Sequence, residues 1–418
     1  MGFWEEIMPR TVTQLPPGIR ITDKVTFGQF AKVFPIQVIR KVLAEEEKES
    51  KRERDLPNHF IVYFVMILGL FREASHTEVL RCVYEGLQWL FGPRCIKIAG
   101  KSGISQARTR VGWQPLKRLF EVVAEPLAKP GDKGSFFQGQ RVVAIDGTLF
   151  DVADTPENDE EFGRPKNGEG IGSYPQARLM GLVECGTHAF LRVEIAGFHD
   201  SEQAVAPKLL THLKPDMICL ADRNFMSFDL FSLAAQSGAK LLWRVRKDVK
   251  LPVEKLLPDG SYFSTIYAHH DRTRTKGMKV RVVEYRVEGS SEPIRLLTNW
   301  FDHKQAAAQG LAELYHERWE YENTLDELKN HLGANAVTLR SRTPTLVKQE
   351  LLGLVMGHYA IRAIMHEAAQ SAGIDDDELS FTHSVKVIRR RLPMFESFPP
   401  GTTAQADHCG DLATTGVV

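Results

Sequence analysis

The chain is short of cysteine, has no surplus of charge of either sign and has no long apolar run. Its 418 residues include five cysteines, Cys82, Cys95, Cys185, Cys219 and Cys409. None forms a C-x-x-C pair or stands at metal-ligand spacing from a histidine, so structural zinc and a disulfide framework are both poorly supported. His358 and His366 do not make an H-E-x-x-H pair and are read as structural or surface residues. The longest apolar run, Phe60 to Phe71, is too short to cross a bilayer and predicts a buried helix. MGFWEEIMPR has no basic region ahead of an apolar core, and Glu6 spoils a myristoylation pattern. A cytoplasmic protein without a membrane partner is expected. Lys and Arg number 53, as do Asp and Glu, so the basic surplus usual in nucleic-acid proteins is missing from the total.

The distribution says more than the sum. Residues 1 to 140 hold 21 Lys and Arg against 15 Asp and Glu, a surplus of 6. From Arg94 to Arg118 the chain carries Arg94, Lys97, Lys101, Arg108, Arg110, Lys117 and Arg118 with no acid, a candidate surface for tracking phosphates. Within it, a glycine-containing turn precedes Ser-Gln-Ala-Arg-Thr-Arg, compatible with a helix-turn-helix variant. Lys101, Gln106, Arg108 and Arg110 would then be DNA contacts. The alternative is a basic helix packed on a catalytic domain. Arg389, Arg390 and Arg391 form a second basic patch.

LYHERWEYENTLDELKNHL holds the most informative pattern. Tyr315, Arg318, Glu322 and Lys329 have the spacing Y-x2-R-x3-E-x6-K. On an unbroken helix, at roughly 100° per residue, they fall within about 60° of one another. One face then carries a phenol, two cations and a carboxylate, suited to holding a phosphate. Leu311, Leu314, Leu325, Leu328 and Leu332 form an adjacent stripe that would seat the helix on a core. Alone, the stretch is more commonly explained as a solvated charged helix with i,i+4 pairs.

Two upstream aspartates change that reading. Val142–Ile145 and Met217–Ala221 are continuous apolar runs, as expected of strands buried on both faces, and they lead into Asp146 and Asp222. Acids at strand ends of an open α/β sheet can converge at its carboxyl edge. Glu322 would complete a carboxylate triad, for which an oxygen-preferring divalent cation is the usual remedy to repulsion. The combination predicts metal-assisted phosphoryl transfer.

IDGT around Asp146, ADRNF around Asp222 and the Tyr315 to Lys329 signature resemble the three catalytic blocks of the IS4-type DDE transposases. DTPEN, SYPQAR and TLRSRTPTLVKQEL are similar to family segments too, and the resemblance covers most of residues 20 to 395. IDGTLFD also resembles a haloacid-dehalogenase motif, but Ala144 stands where the nucleophilic Asp would be, so covalent phosphatase chemistry is excluded.

The family resemblance implies an RNase H-like α/β catalytic domain, and the pattern of strand, hairpin, helix and strand fits it. The expected organisation is a helical N-terminal DNA-binding domain (1–135), the catalytic domain (136–345) with a β-rich insertion (250–300), and a helical C-terminal region (346–418) ending in a disordered tail. Asp146, Asp222 and Glu322 would bind two Mg²⁺ ions, with Mn²⁺ as a substitute. Arg318, Tyr315 and Lys329 would grip phosphates, and Trp319 would pack beneath them or stack on a base. In related enzymes an aromatic of the insertion stacks on a flipped base. Arg295 occupies that position here, and nearby Trp300 reads either as a substitute or as a residue of the hydrophobic core. The implied partners are double-stranded DNA, as terminal inverted repeats and target, and a second copy of the chain on paired ends, at the bacterial nucleoid. A stand-alone nuclease on the same fold and a non-catalytic DNA-binding regulator are the competing readings.

Overall fold

The computed structural model describes residues 27–50, 56–91, 99–167, 170–171, 174–269, 271, 273–286, 292–332 and 338–391. Arg94, Lys97, the Gly289-Ser290-Ser291 stretch expected as a turn of the insertion, and the expected disordered tail lie outside these residues. The first part is helical: α1 (Phe27–Val33), α2 (Ile36–Glu45), α3 (Asn58–Leu70), α4 (His76–Phe91), α5 (Lys101–Val111) and α6 (Gln114–Val123). A sheet region follows. β1 (Phe136–Phe137) turns into β2 (Gln140–Val152), followed by α7 (Pro156–Phe162) and a small hairpin, β3 (Lys166–Asn167) with β4 (Gly170–Ile171). Next come β5 (Gln176–Glu184), β6 (Ala189–Gly197), α8 (Glu202–Leu210), β7 (Met217–Ala221), α9 (Phe228–Gln236) and β8 (Lys240–Arg244). The insertion supplies β9 (Lys255–Leu256), β10 (Tyr262–Ile266), β11 (Met278–Tyr285) and β12 (Ile294–Thr298). Then follow α10 (Ala308–His316), α11 (Trp319–Asp326), a π-helical turn (Glu327–His331), β13 (Thr338–Leu339), α12 (Pro344–Ala372) and α13 (Phe381–Arg391).

The strands run in the order β6-β5-β2-β7-β8-β12-β11-β10-β9. β5 and β6 form the expected antiparallel hairpin beside β2, while β2, β7 and β8 are parallel neighbours. This is the RNase H-like arrangement. The β-rich insertion does not stand apart from it: β12 pairs antiparallel with β8, and β11, β10 and β9 continue the same sheet. A free edge at β8 would expose a row of unpaired backbone groups, and the insertion covers it.

The apolar runs in β2 and β7 serve two cores because successive side chains point to opposite faces. Val142, Ala144, Ile218 and Leu220 face the helices contributed by both ends of the chain. Val143, Ile145, Cys219 and Ala221 face α8 and α9. On the first side, the apolar run beginning at Phe60 forms α3, buried on nearly all its faces, and packs along α12. Glycines permit that close approach: a Cβ on Gly353 would stand 2.3 Å from the Val65 carbonyl oxygen. Each large side chain buried there contributes roughly 1.5–3 kcal/mol. Among the described residues no helix is long and apolar enough to cross a membrane.

Candidate active site

The parallel pairing of β2 with β7 ends at Ile145 opposite Ala221. Asp146 and Asp222 are the next residues on the two strands, which brings them side by side. β7 stops there, but β2 runs on to Val152, so Asp146 sits within a strand and not at or near its end as expected. Asp146 Oδ1 accepts the Gly147 N–H at 2.8 Å, and Asp222 Oδ1 accepts the Asn224 N–H at 2.8 Å. Both carboxylates are therefore oriented by their own backbone.

The signature segment is not one helix. α10 closes at His316, a turn carries Arg318, α11 begins at Trp319, and a π-helical turn holds Lys329. The convergence of the first three residues on one site survives because tertiary contacts place them. Arg318 Nη1 lies 3.6 Å from Asp146 Oδ2, and its Nη2 lies 2.8 Å from Glu322 Oε1. One guanidinium thus spans two acids from distant parts of the chain. Tyr315 is buried, and its hydroxyl donates to the Ala221 carbonyl at 3.3 Å, beside Asp222. Trp319 is 57% exposed, with the Arg318 guanidinium 5.5 Å from its ring centre. Lys329 lies over the Phe150 ring at 5.2 Å, farther along β2, and burial lowers its pKa.

Sequence reasoning missed Tyr321, the residue before Glu322. It is fully buried and donates to the Asp146 carbonyl at 2.8 Å, so it fastens α11 directly to β2. Burial raises its pKa well above the usual range, which keeps the hydroxyl a donor. A second fastening lies beneath: Glu327 accepts from Arg362 Nε at 2.9 Å and is bonded to His358 at 2.9 Å and His188 at 3.1 Å. His358 is accordingly a core residue. A tyrosine adjoining a candidate acid was the available signal, but only the fold supplies its acceptor.

Burial pushes the Asp146 carboxyl up to about 7, with Asp222 and Glu202 adding to the rise and Arg318 opposing it. Such a group accepts a cation readily, since compensation removes a standing cost. The donors are carboxylates without a thiol among them, a set suited to hard divalent cations. Among the described residues no three acid, imidazole or thiol groups are already gathered at metal-binding spacing. Arg318 occupies the position between Asp146 and Glu322.

The expected DNA contacts of the N-terminal region divide in two. Arg108 is buried at 2% exposure and donates to Gln349 Oε1 (3.2 Å), Ser341 Oγ (3.3 Å) and the Leu346 carbonyl (3.0 Å). It joins α5 to α12, so the DNA-contact expectation gives way to a structural role. Arg110 is half-buried and donates to Asn58 Oδ1 at 2.9 Å and the Leu56 carbonyl at 2.6 Å. Lys101 and Gln106 are exposed. Trp300 is buried against Phe137 and cannot stack on a base without leaving the core, while Arg295 donates to the Val249 and Arg246 carbonyls. In the second basic patch Arg389 is engaged by the Leu70 and Leu332 carbonyls, and Arg390 is exposed.

Residues 24–121 match the family described as insertion element 4 transposase N-terminal, and residues 137–358 match the transposase DDE domain. The chain is 26% identical over 387 residues to the Escherichia coli (strain K12) transposase InsG for insertion sequence element IS4, covering 91% of this chain and 86% of that protein. It is 27% identical over 215 residues to InsZ of the same organism, covering 51% of this chain and 69% of the relative. Among solved structures, a piggyBac transposase synaptic complex with hairpin DNA matches with a TM-score of 0.44 and 15% identity, covering 91% of this chain and 86% of that one. That last likeness is too slight to carry weight. With the two family matches meeting the geometry of the acids, the chain belongs to the IS4-type DDE transposases, metal-dependent enzymes of DNA cleavage and strand transfer.

Proposed function

We propose that Asp146, Asp222 and Glu322 are the metal-binding carboxylates with which this transposase cuts DNA at the ends of its element. The observation that carries the reading is Arg318, which reaches both Asp146 and Glu322 and so gathers the signature over the adjoining ends of the β2 and β7 pairing. Oxygen-only donors suit Mg²⁺, with Mn²⁺ as a substitute, and an in-line displacement would use two ions. When bound, the ions supply activation of the attacking water and stabilisation of charge at the phosphodiester.

The side chains around them have separate tasks. Asp146 and Asp222 are held by the sheet, and Glu322 is held by α11 through Tyr321. Arg318 would yield at least one of its carboxylates to a bound cation, which would leave its planar fork to a phosphate beside the cut. Tyr315 steadies the strand end before Asp222, which makes it a positioning residue. Exposed Trp319 offers a ring to a sugar or base, and Lys329 takes a phosphate farther along β2. Residues 1–135 provide affinity for the terminal inverted repeats, with Lys101 and Gln106 as contacts, residues 136–345 the chemistry, and residues 346–418 support. Two element ends and one set of acids per chain favour a homodimer on paired ends, followed by joining to target DNA at the nucleoid.

The test is cleavage of a labelled duplex carrying the element end and flanking DNA, with Mg²⁺ or EDTA, by wild type and Glu322→Gln. A nick at the boundary that needs Mg²⁺ and is lost in the variant, with DNA binding retained, is expected. A hairpin product would identify the second-strand route. Normal cutting by the variant would sink the assignment. Equal cutting of DNA lacking the repeat would make the protein a stand-alone nuclease, and binding without cutting would make it a regulator.

A further inference from the structure

A carboxylate outside the three-acid set stands on the other side of β2. Glu202 opens α8, whose N-cap Ser201 accepts the Ala204 N–H at 3.2 Å. Glu202 Oε1 lies 2.9 Å from where a Cβ on Gly147 would be, so it occupies the space that a glycine leaves beside Asp146. Any other residue at position 147 would drive Glu202 away.

The start of α8 is also tied to the second aspartate. Gln203 Nε2 donates to the Asn224 carbonyl at 2.5 Å, and the Asn224 N–H donates to Asp222 Oδ1 at 2.8 Å. α8 therefore begins where β7 has ended and β2 continues, along a flank of β2 that β7 no longer covers. Arg178 Nη1 donates to Glu202 Oε1 at 2.9 Å, and its Nη2 reaches the Phe198 carbonyl at 3.5 Å. Among the described residues Oε2 accepts no hydrogen bond.

We infer that Glu202 is a fourth carboxylate of the metal centre, approaching from the α8 side of β2 and sharing a divalent cation with Asp146 and Asp222. The inference rests on the metal-binding role proposed for those two acids. An ion pair serving the fold alone needs neither the space that Gly147 leaves beside Asp146 nor the tie of α8 to Asp222 through Gln203 and Asn224. A hard cation with six oxygen ligands does, because each carboxylate added from a different direction fills a coordination position.

Mn²⁺ binding to the purified chain, followed by the electron paramagnetic resonance of the free ion, gives a readout independent of activity. Glu202→Gln is expected to need about tenfold more Mn²⁺ for half-saturation, by analogy with lost ligand-shell partners. The Mn²⁺ needed for half-maximal cleavage of the labelled element end should rise by the same factor, with DNA binding in EDTA unchanged. Arg178→Met removes the ion pair but keeps the carboxylate, and is expected to stay within about twofold of wild type. Glu202→Asp, which keeps the charge, should recover part of the affinity and so report on the role even if the glutamine variant folds poorly. Wild-type Mn²⁺ titration by Glu202→Gln, or an equal loss in Arg178→Met, would overturn the inference. Asp146→Asn serves as the control: if it too binds Mn²⁺ normally, the metal site itself is misassigned and both readings fall.

Discussion

α5 and the α10–α11 segment both carry basic residues at helical spacing, and the fold uses them in opposite ways. In α5, Arg108 points inward and is held by Gln349, Ser341 and a carbonyl of α12. At the α10–α11 junction, Arg318 points to the acids and bridges two of them. A guanidinium has five donors in a fixed fork, so it can fasten helices as readily as it can hold a phosphate. Composition alone does not distinguish the two. What distinguishes them is the company: neutral amide, hydroxyl and carbonyl acceptors around Arg108, and carboxylates beside a strand end around Arg318.

The largest effect that would sharpen this contrast is on chemistry. Replacing Asp146, Asp222 or Glu322 with the isosteric amide should lower the cleavage rate by at least about a thousandfold, since metal-assisted charge stabilisation is worth several kcal/mol. Band-shift affinity for the element end in EDTA should be unchanged. If affinity fell with the rate, the separation between a catalytic segment and a binding segment would fail.

Arg108→Met should cost roughly 2–4 kcal/mol in denaturant unfolding, because it strands buried acceptors on α12. Lys101→Ala in the same helix should leave stability within about 0.5 kcal/mol. A stable Arg108→Met protein with weakened DNA binding would reverse the assignment of α5.

Asp146 gives a pH-dependent test in metal-free protein. Its folded pKa is raised to about 7 by burial, so ionising it costs the folded state more than the unfolded one. The penalty is absent below the unfolded carboxylate range near pH 4, grows as pH rises, and is complete above about pH 7. Asp146→Asn should therefore stabilise the protein by about 1–3 kcal/mol at pH 8, with the gain vanishing near pH 4. An equal gain at both pH values would show that burial does not raise this carboxyl.

Tyr321→Phe removes one hydrogen bond to the Asp146 carbonyl. A loss of about 1 kcal/mol in stability is expected, with a cleavage rate reduced by up to about tenfold. Unchanged cleavage would mean that α11 needs no fastening to β2. The smallest effect belongs to the exposed face of α5: Lys101→Ala should reduce the slope of log affinity against log salt by about 1 if it meets a phosphate.

Much of the molecule was legible along the chain. The unalternating runs before Asp146 and Asp222 marked strands buried on both faces, and the apolar stretch beginning at Phe60 marked a buried helix, because burial acts on contiguous residues. The signature spacing was recognisable, yet the unbroken helix assumed for it is divided into α10, α11 and a π-helical turn. The sheet-extending role of the insertion was hidden, since pairing of β12 with β8 depends on which edge is free. Trp300, open in the sequence between a stacking ring and a core residue, lies in the core, and Arg295, which stands where related enzymes have an aromatic, serves loop backbone.

By itself the sequence determined the residue types, the order of the acids and the local preferences that make strands and helices. Those depend on neighbours a few positions apart. Only the tertiary structure decided that Asp146 and Asp222 stand side by side, that Tyr321 finds the Asp146 carbonyl, that Arg108 is inside while Arg318 serves the site, and that Glu202 fills the space left by Gly147. Each of these is a meeting of groups brought together by sheet register and helix packing, and none is expressed in any single stretch of chain.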